Sequence, residues 1–247
     1  MKIQFLNYHR LIPLLFIIIF CLPTLSLGQM FSIQETQERL ERPLGTSTLV
    51  GLSWDIADFN YSGDLTGGFD RLDFSDNIIR FRLNSPGLDI SLGLAGSFTG
   101  MDDNSYLNVS GRIFNNLNLT RSPTFVFSVP IQLTTDIKRV RASSFDTEFQ
   151  QSSLIFGTGI SSDIKLSDRF NFKMHATPNY GFSFAQGSFF GGNLFRFDTR
   201  AVLFINNIFG RRALAIAYDF DYRKYDIDGD IYDYDFTSHS ITIGIGL

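Results

Sequence analysis

The residues able to do chemistry are few, and most lie in the second half of the chain. His239 is followed directly by Ser240. A serine activated by a histidine needs both side chains on one face, and adjacent residues of a strand point to opposite faces. An outward His239 and an inward Ser240 are therefore expected, with no catalysis between them. His175 alternates with Lys173 and Thr177, which suits a hydrogen-bonded histidine on a polar face better than a general base. Asp219-Phe220-Asp221 puts two carboxylates on one face, and such pairs can act as general acid and base. Arg223 shares that face, and Arg196 and Arg200 lie on the preceding strand, so ion pairing is the stronger expectation. The run Tyr225–Asp235 holds five aspartates, of which Asp226, Asp228, Asp230 and Asp233 are candidate ligands for a divalent cation. An EF-hand loop wants Gly at its sixth position and Glu at its twelfth; here Gly229 stands fourth and no Glu follows. A solvated hairpin tip with weak cation affinity is the expectation. The single cysteine, Cys21, excludes a disulfide framework and a thiolate metal site. No catalytic residue, cofactor or resident metal is expected.

The elements that carry these residues alternate with period two from Thr48 onward. Between Phe170 and Phe184, the even-numbered residues Phe170, Phe172, Met174, Ala176, Pro178, Tyr180, Phe182 and Phe184 form one face. Asn171, Lys173, His175, Thr177, Asn179, Gly181 and Ser183 form the other. Alternation this long specifies a strand with one apolar face. Ten such strands are expected, over 48–58, 77–84, 88–98, 105–117, 124–136, 150–166, 170–184, 193–206, 212–226 and 232–247. Long connections near 59–76, 99–104, 137–149, 185–192 and 226–231 alternate with short ones at 84–87, 118–123, 167–169 and 207–210. Turn lengths preserve the faces. Asn84–Gly87 would pair Leu83 with Leu88, Ser167–Arg169 would pair Leu166 with Phe170, and a type I′ turn at Asp228-Gly229 would pair Tyr225 with Tyr232.

The first residues read as an address. Lys2 and Arg10 precede an apolar stretch, Leu11–Leu22, and Ser26-Leu27-Gly28 ends it with small residues, the order of a secretory signal. Residues 1–28 are expected to be removed after Gly28, and 29–46 to form a periplasmic leader. Ser32 and Glu35 fit a capping box for a short helix over Ile33–Glu41, and Pro43 ends it. Residues 47–247 are the β-domain.

Alternation alone leaves open whether the apolar face looks inward, as in a soluble lipocalin-like barrel, or outward to lipid. The polar face decides. It carries Asp55, Arg80, Arg82, Asp89, Arg112, Asp163, Lys165, Lys173, Arg196, Asp198, Arg200, Asp219, Asp221 and Arg223, interleaved with small residues. Across the chain Arg outnumbers Lys 16 to 5 and Asp outnumbers Glu 21 to 4. A crowded lumen selects short Asp and forked Arg, whereas a solvated surface tolerates Lys and Glu. A closed network of pairs inside a narrow barrel is expected, with His175 among its members. Aromatic residues near strand ends, such as Tyr180, Phe182, Phe184, Phe189, Phe190, Tyr218, Phe220, Tyr222 and Tyr225, suit interfacial girdles. Lys138-Arg139 with Arg141 is expected in an outer loop, facing anionic headgroups.

With the closing strand Ser240–Leu247, these features make the chain resemble bacterial outer-membrane β-barrel proteins, in the style of small Bacteroidota barrels. The resemblance covers nearly all of Thr48–Leu247. In this family the last strand, here with Ile241, Ile243, Ile245 and Leu247 outward, is read by the barrel-assembly machinery; Leu247 stands where a terminal aromatic is usual. The resemblance implies an all-β, single antiparallel up-and-down transmembrane barrel in the outer membrane of a Gram-negative bacterium. The implied partners are outer-membrane lipid, lipopolysaccharide and an unidentified envelope protein, and no nucleic acid. A non-enzymatic structural or surface-interaction role is the leading expectation. A small pore or transporter is the alternative, and a soluble periplasmic ligand-binding barrel is the weaker one.

Overall fold

The computed structural model describes residues 44, 47–63, 72–143, 148–185, 191–209, 212–227 and 233–247. The expected signal peptide, leader and helix over Ile33–Glu41 lie outside them. Period-two patterning becomes ten strands: β1 (Leu49–Tyr61), β2 (Phe74–Ser85), β3 (Leu88–Ala95), β4 (Asn104–Arg121), β5 (Phe125–Ala142), β6 in two segments (Glu148–Thr158 and Ile160–Lys165), β7 (Phe170–Ala185), β8 (Gly192–Phe209), β9 (Arg212–Ile227) and β10 (Tyr234–Gly246). Each pairs antiparallel with its sequence neighbours. β10 returns to β1 from Leu49↔Gly246 to Tyr61↔Tyr234, which closes the barrel and leaves no free edge.

The two segments of β6 are one strand. Their register against β5 is the same before and after the break (Gln132↔Gly157, Ser128↔Ser161), and so is that against β7 (Gly157↔Asn179, Ile160↔Ala176). Gly159 sits at the break because a Cβ there would collide with the Ala176 carbonyl oxygen and lie 2.8 Å from the Thr177 Cα. At the short-turn end, Gly87 adopts φ 82 after Pro86, the backbone that the third position of a type II turn requires.

The outer surface is apolar. Leu52, Trp54, Ile56, Phe81, Ile113, Ile131, Phe156, Met174, Tyr180, Ile216, Tyr218, Ile241 and Ile243 are all exposed. On β9 the outward residues run Leu214, Ile216, Tyr218, Phe220 and Tyr222 before Lys224 ends the series. Eight residue steps at about 3.4 Å each, on a strand tilted by about 40°, span roughly 20 Å of height, near the apolar band of a transmembrane barrel. The polar face is inside. A ladder of charges around a closed interior and a continuous apolar exterior is the inverse of a soluble barrel.

Several expectations need correction. Two hairpin registers differ from the expected ones by two residues. The β2–β3 turn is Pro86–Gly87, which pairs Ser85 with Leu88 and Leu83 with Ile90. The β9–β10 hairpin pairs Tyr225 with Tyr234 and Ile216 with Ile243, so its centre is not Asp228-Gly229. The faces survive because a shift of two keeps parity. The β7 turn has the expected pairing, Ile164↔Phe172. β3 stops at Ala95, and Phe98 belongs to a single 3-10 turn over Ser97–Thr99. Lys138, Arg139 and Arg141 are not in a loop; β5 runs on to Ala142 and carries all three. Tyr225 points inward and is fully buried, so it is no part of an interfacial girdle. Phe189 and Phe190 lie outside the described residues.

Candidate functional site

The interior is layered from the loop end to the short-turn end. At the loop end aromatic rings cross the lumen. Phe59 of β1 stacks on Tyr234 of β10 at 4.4 Å between ring centres, and Phe149 of β6 packs edge-on against Phe59, Tyr225 and Tyr234 at 5.1–5.2 Å. Tyr106 of β4 joins Phe74 and Phe236 at 6.0 Å. With Leu72, Ile78, Met101, Val140, Leu194 and Ile227 these rings form one buried apolar cluster inside the barrel. Aromatic pairs at such separations contribute beyond the area they bury.

Below this plug the arginine–aspartate ladder begins. Arg223 donates to Asp136 across the lumen and, from Nη2, to Asp221 at 2.9 Å. Arg196 grips Asp221 with two parallel bonds, Nε to Oδ1 at 2.9 Å and Nη2 to Oδ2 at 3.1 Å. Asp136 also accepts from Ser153 and, at 3.1 Å, from Asn108. Arg80 pairs with Asp55 at 2.6 Å, and Ser240 donates to the same carboxylate. One level lower, Asp219 receives Arg82 at 2.5 Å and the Arg200 Nε, while the Arg200 Nη1 reaches Asp89 at 3.1 Å. Asp198 is shared by Arg112 at 2.7 Å, His175 at 3.5 Å and Asn179 at 2.9 Å. Gln132 reaches over Gly157 of the intervening β6 to hold Asn179 at 2.5 Å. Towards the turns Lys173 lies 3.9 Å from Asp163. Lys165 pairs with Asp168 at 2.9 Å in the turn, and this hydrogen bond holds the Asp168 carboxyl below the usual carboxylate range. A small apolar group of Leu49, Val202, Phe204, Ala213, Ala215 and Ala217 lines the turn end.

The structure thus brings the sequence-derived charges Arg80, Arg82, Asp89, Arg112, Asp163, Lys173, His175, Arg196, Asp198, Arg200, Asp219, Asp221 and Arg223 into one interior, with Lys165 at its mouth. Sequence reasoning missed Asp136 and Lys138. Both lie on the inward face of β5 and are buried. The Lys138 Nζ sits 3.1 Å from the centre of the Phe236 ring, with Tyr106 and Tyr225 at 5.5 and 5.7 Å, and it has no hydrogen-bond partner among the described residues. The alternation Thr134, Asp136, Lys138, Val140 against Leu133, Thr135, Ile137 was the available signal.

Apart from Ser240, the other candidates stand outside this ladder. His239 faces outward and its Nδ1 meets the Tyr218 hydroxyl at 2.7 Å; Ser240 is inside. Of the aspartate-rich hairpin, Asp228 and Asp230 lie outside the described residues. Asp226 is exposed, and the Asp233 Oδ1 accepts the Ile227 backbone N–H at 2.7 Å. No group of three or more metal-ligating side chains occurs among the described residues. Arg139 faces outward and pairs with Glu148 at 2.7 Å. Ile241, Ile243, Ile245 and Leu247 all present their side chains on the outer surface.

No protein-family model matches the sequence, and no curated protein matches it. Among solved structures the chain is similar to the outer-membrane protease OmpT of Escherichia coli, at 8% identity and a TM-score of 0.39, over 85% of this chain and 98% of that one. It is also similar to the translocator domain of the autotransporter NalP from Neisseria meningitidis, at 8% identity and a TM-score of 0.33, over 81% and 88% of the two chains. A third likeness is to Ail, the attachment invasion locus protein of Yersinia pestis, at 8% identity and a TM-score of 0.22, over 83% and 100%.

Proposed function

We propose that the chain is an integral barrel of a Gram-negative outer membrane whose lumen does not conduct, and that it acts without catalysis, as a structural or surface-interaction protein through its loop-side rim. In this proposal residues 1–28 are a signal peptide, the barrel-assembly machinery reads β10, and lipid and lipopolysaccharide surround the apolar belt. The observation that carries the reading is the filled interior. Aromatic rings cross the lumen at the loop end, and beneath them the guanidinium groups of Arg223, Arg82 and Arg200 bridge strands that are not neighbours in the sheet. A ten-stranded barrel is narrow enough for side chains to fill. Ions would have to cross paired charges and then an aromatic layer.

The non-enzymatic reading rests on geometry as well. The paired carboxylates Asp219 and Asp221 are each engaged by two arginines, and His239 and Ser240 face opposite sides of the wall. Planar-bilayer recordings of the purified barrel test the central claim. The expected result is no stable single-channel conductance; steps of constant amplitude would establish the pore alternative instead. Recovery of the protein in the soluble fraction after carbonate washing would end the membrane reading altogether.

A further inference from the structure

The ladder ends at the short-turn side in a cavity of about 30 Å³, roughly two to three times the room one water needs. Asn84, Phe114, Lys173 and His175 around it are half-buried, so solvent reaches it from the turn-side mouth, whereas the aromatic plug closes the opposite end. Its charged lining is all of one sign. Arg112, Lys173 and Arg200 line it beside the His175 imidazole, and no carboxylate does among the described residues. Phe114, Pro130 and Phe204 supply apolar walls.

The donors there are not used up. Arg200 is committed to Asp89 and Asp219. Arg112 spends Nη2 on Asp198, and its buried Nε has no hydrogen-bond partner. Thr177 lines the same cavity, and its buried hydroxyl has no partner either. Lys173 has three N–H donors and, among the described residues, only Asp163, at 3.9 Å, opposite them. The nearest carboxylate on the ladder, Asp198, is already shared by Arg112, His175 and Asn179. A recess whose charged lining is cationic, in a wall that also holds polar groups without partners, favours an anionic acceptor with several oxygens.

We propose that this pocket binds a small soluble oxyanion, a carboxylate or phosphate group entering from the turn side, held by Lys173 and Arg112 with Thr177 in its wall. The interior location selects a water-borne group over the headgroup of a lipid packed against the outer belt. A dead-ended anion pocket is independent of whether the barrel has a surface role, so its failure leaves the preceding reading untouched.

Isothermal titration of the full barrel in a zwitterionic detergent, with inorganic phosphate, acetate and neutral acetamide as separate probes, tests it. Saturable binding of phosphate, of acetate or of both is expected, with Kd around the millimolar range and none for acetamide. Lys173→Gln should weaken binding about tenfold or more, the loss of one hydrogen bond from a charged donor, and Thr177→Val should weaken it by less. Arg139→Gln, on the outer surface, should leave it unchanged. Far-UV circular dichroism checks that each variant keeps its barrel. The proposal is overturned by no saturable heat with either anion, by equal binding of acetamide, or by unaltered affinity in folded Lys173→Gln and Thr177→Val.

Discussion

Arg223 touches Asp221 on its own strand and Asp136 across the lumen, and its side chain is 1% exposed. Removing one partner of a buried ionic group leaves the others uncompensated, which costs about 3–5 kcal/mol, whereas a charge already lacking a hydrogen-bond partner is cheaper to delete. Arg223→Met should therefore lower the urea midpoint of the folded barrel markedly, while Lys138→Met, a substitution of similar length inside the aromatic plug, should leave it unchanged or raise it. Parallel unfolding curves check both. Trp54 offers a second test at this scale. It is the sole tryptophan, half exposed on the outer face, with Nε1 donating to Asn77 at 3.1 Å near the loop-side edge of the apolar belt. In vesicles its fluorescence should be strongly quenched by lipids brominated along the acyl chain; unquenched emission would count against lipid contact. Much of the lumen was legible because Arg and Asp recur at alternating positions on strands whose other face is plainly apolar. Asp136 and Lys138 escaped because Lys138-Arg139 with Arg141 reads as a solvated charge run. Above the apolar belt the outward face is polar too, Arg139 being an example, so alternation loses its contrast there.

At the scale of elements, strand identity and facing were legible and register was not. Apolar-on-apolar pairing fixes parity, and a shift of two residues satisfies it equally well. Hence Leu83 meets Ile90 rather than Leu88. Only local turn chemistry, here Pro86 followed by Gly87 with φ 82, distinguishes the alternatives. The interruption of β6 at Gly159 was hidden for a related reason, since register on both sides of it is continuous and the pattern passes through unbroken. Its backbone approaches β7 too closely for a side chain. Gly159→Val should destabilise the barrel by at least the 1–3 kcal/mol typical of overpacking, roughly, and the loss should appear as a lower unfolding midpoint. An equivalent change at Ser162, on the outer face, lacks that steric cause.

For the molecule as a whole, an apolar belt outside and a charge ladder inside reverse the arrangement of a soluble barrel, and the same ten strands serve both. The loop end is closed by rings from five strands, β1, β2, β4, β6 and β10, with Tyr225 from β9 beside them. The short-turn end stays accessible to small polar groups. Such polarity along the axis could not be read from composition, because the aromatic residues of plug and belt are of the same types and differ only in parity on their strands. Tyr225 and Tyr222 show this on one strand, the first inside and the second facing out.

The seam between β1 and β10 is continued by reciprocal backbone bonds between Thr48 and Leu247, from the Leu247 N–H to the Thr48 carbonyl at 2.7 Å and back at 3.3 Å. Residues 48 and 247 are thus neighbours in space, and the order in which the strands follow along the chain is separable from the cylinder they build. A circular permutant that joins Leu247 to Thr48 by a short linker and opens the chain between Pro86 and Gly87 keeps every strand pair. It should refold in detergent to the same barrel, with β2 as its last strand. Because β10 would then be internal, comparing refolding in vitro with assembly in cells would separate what the strands do for stability from what the final strand does as a signal.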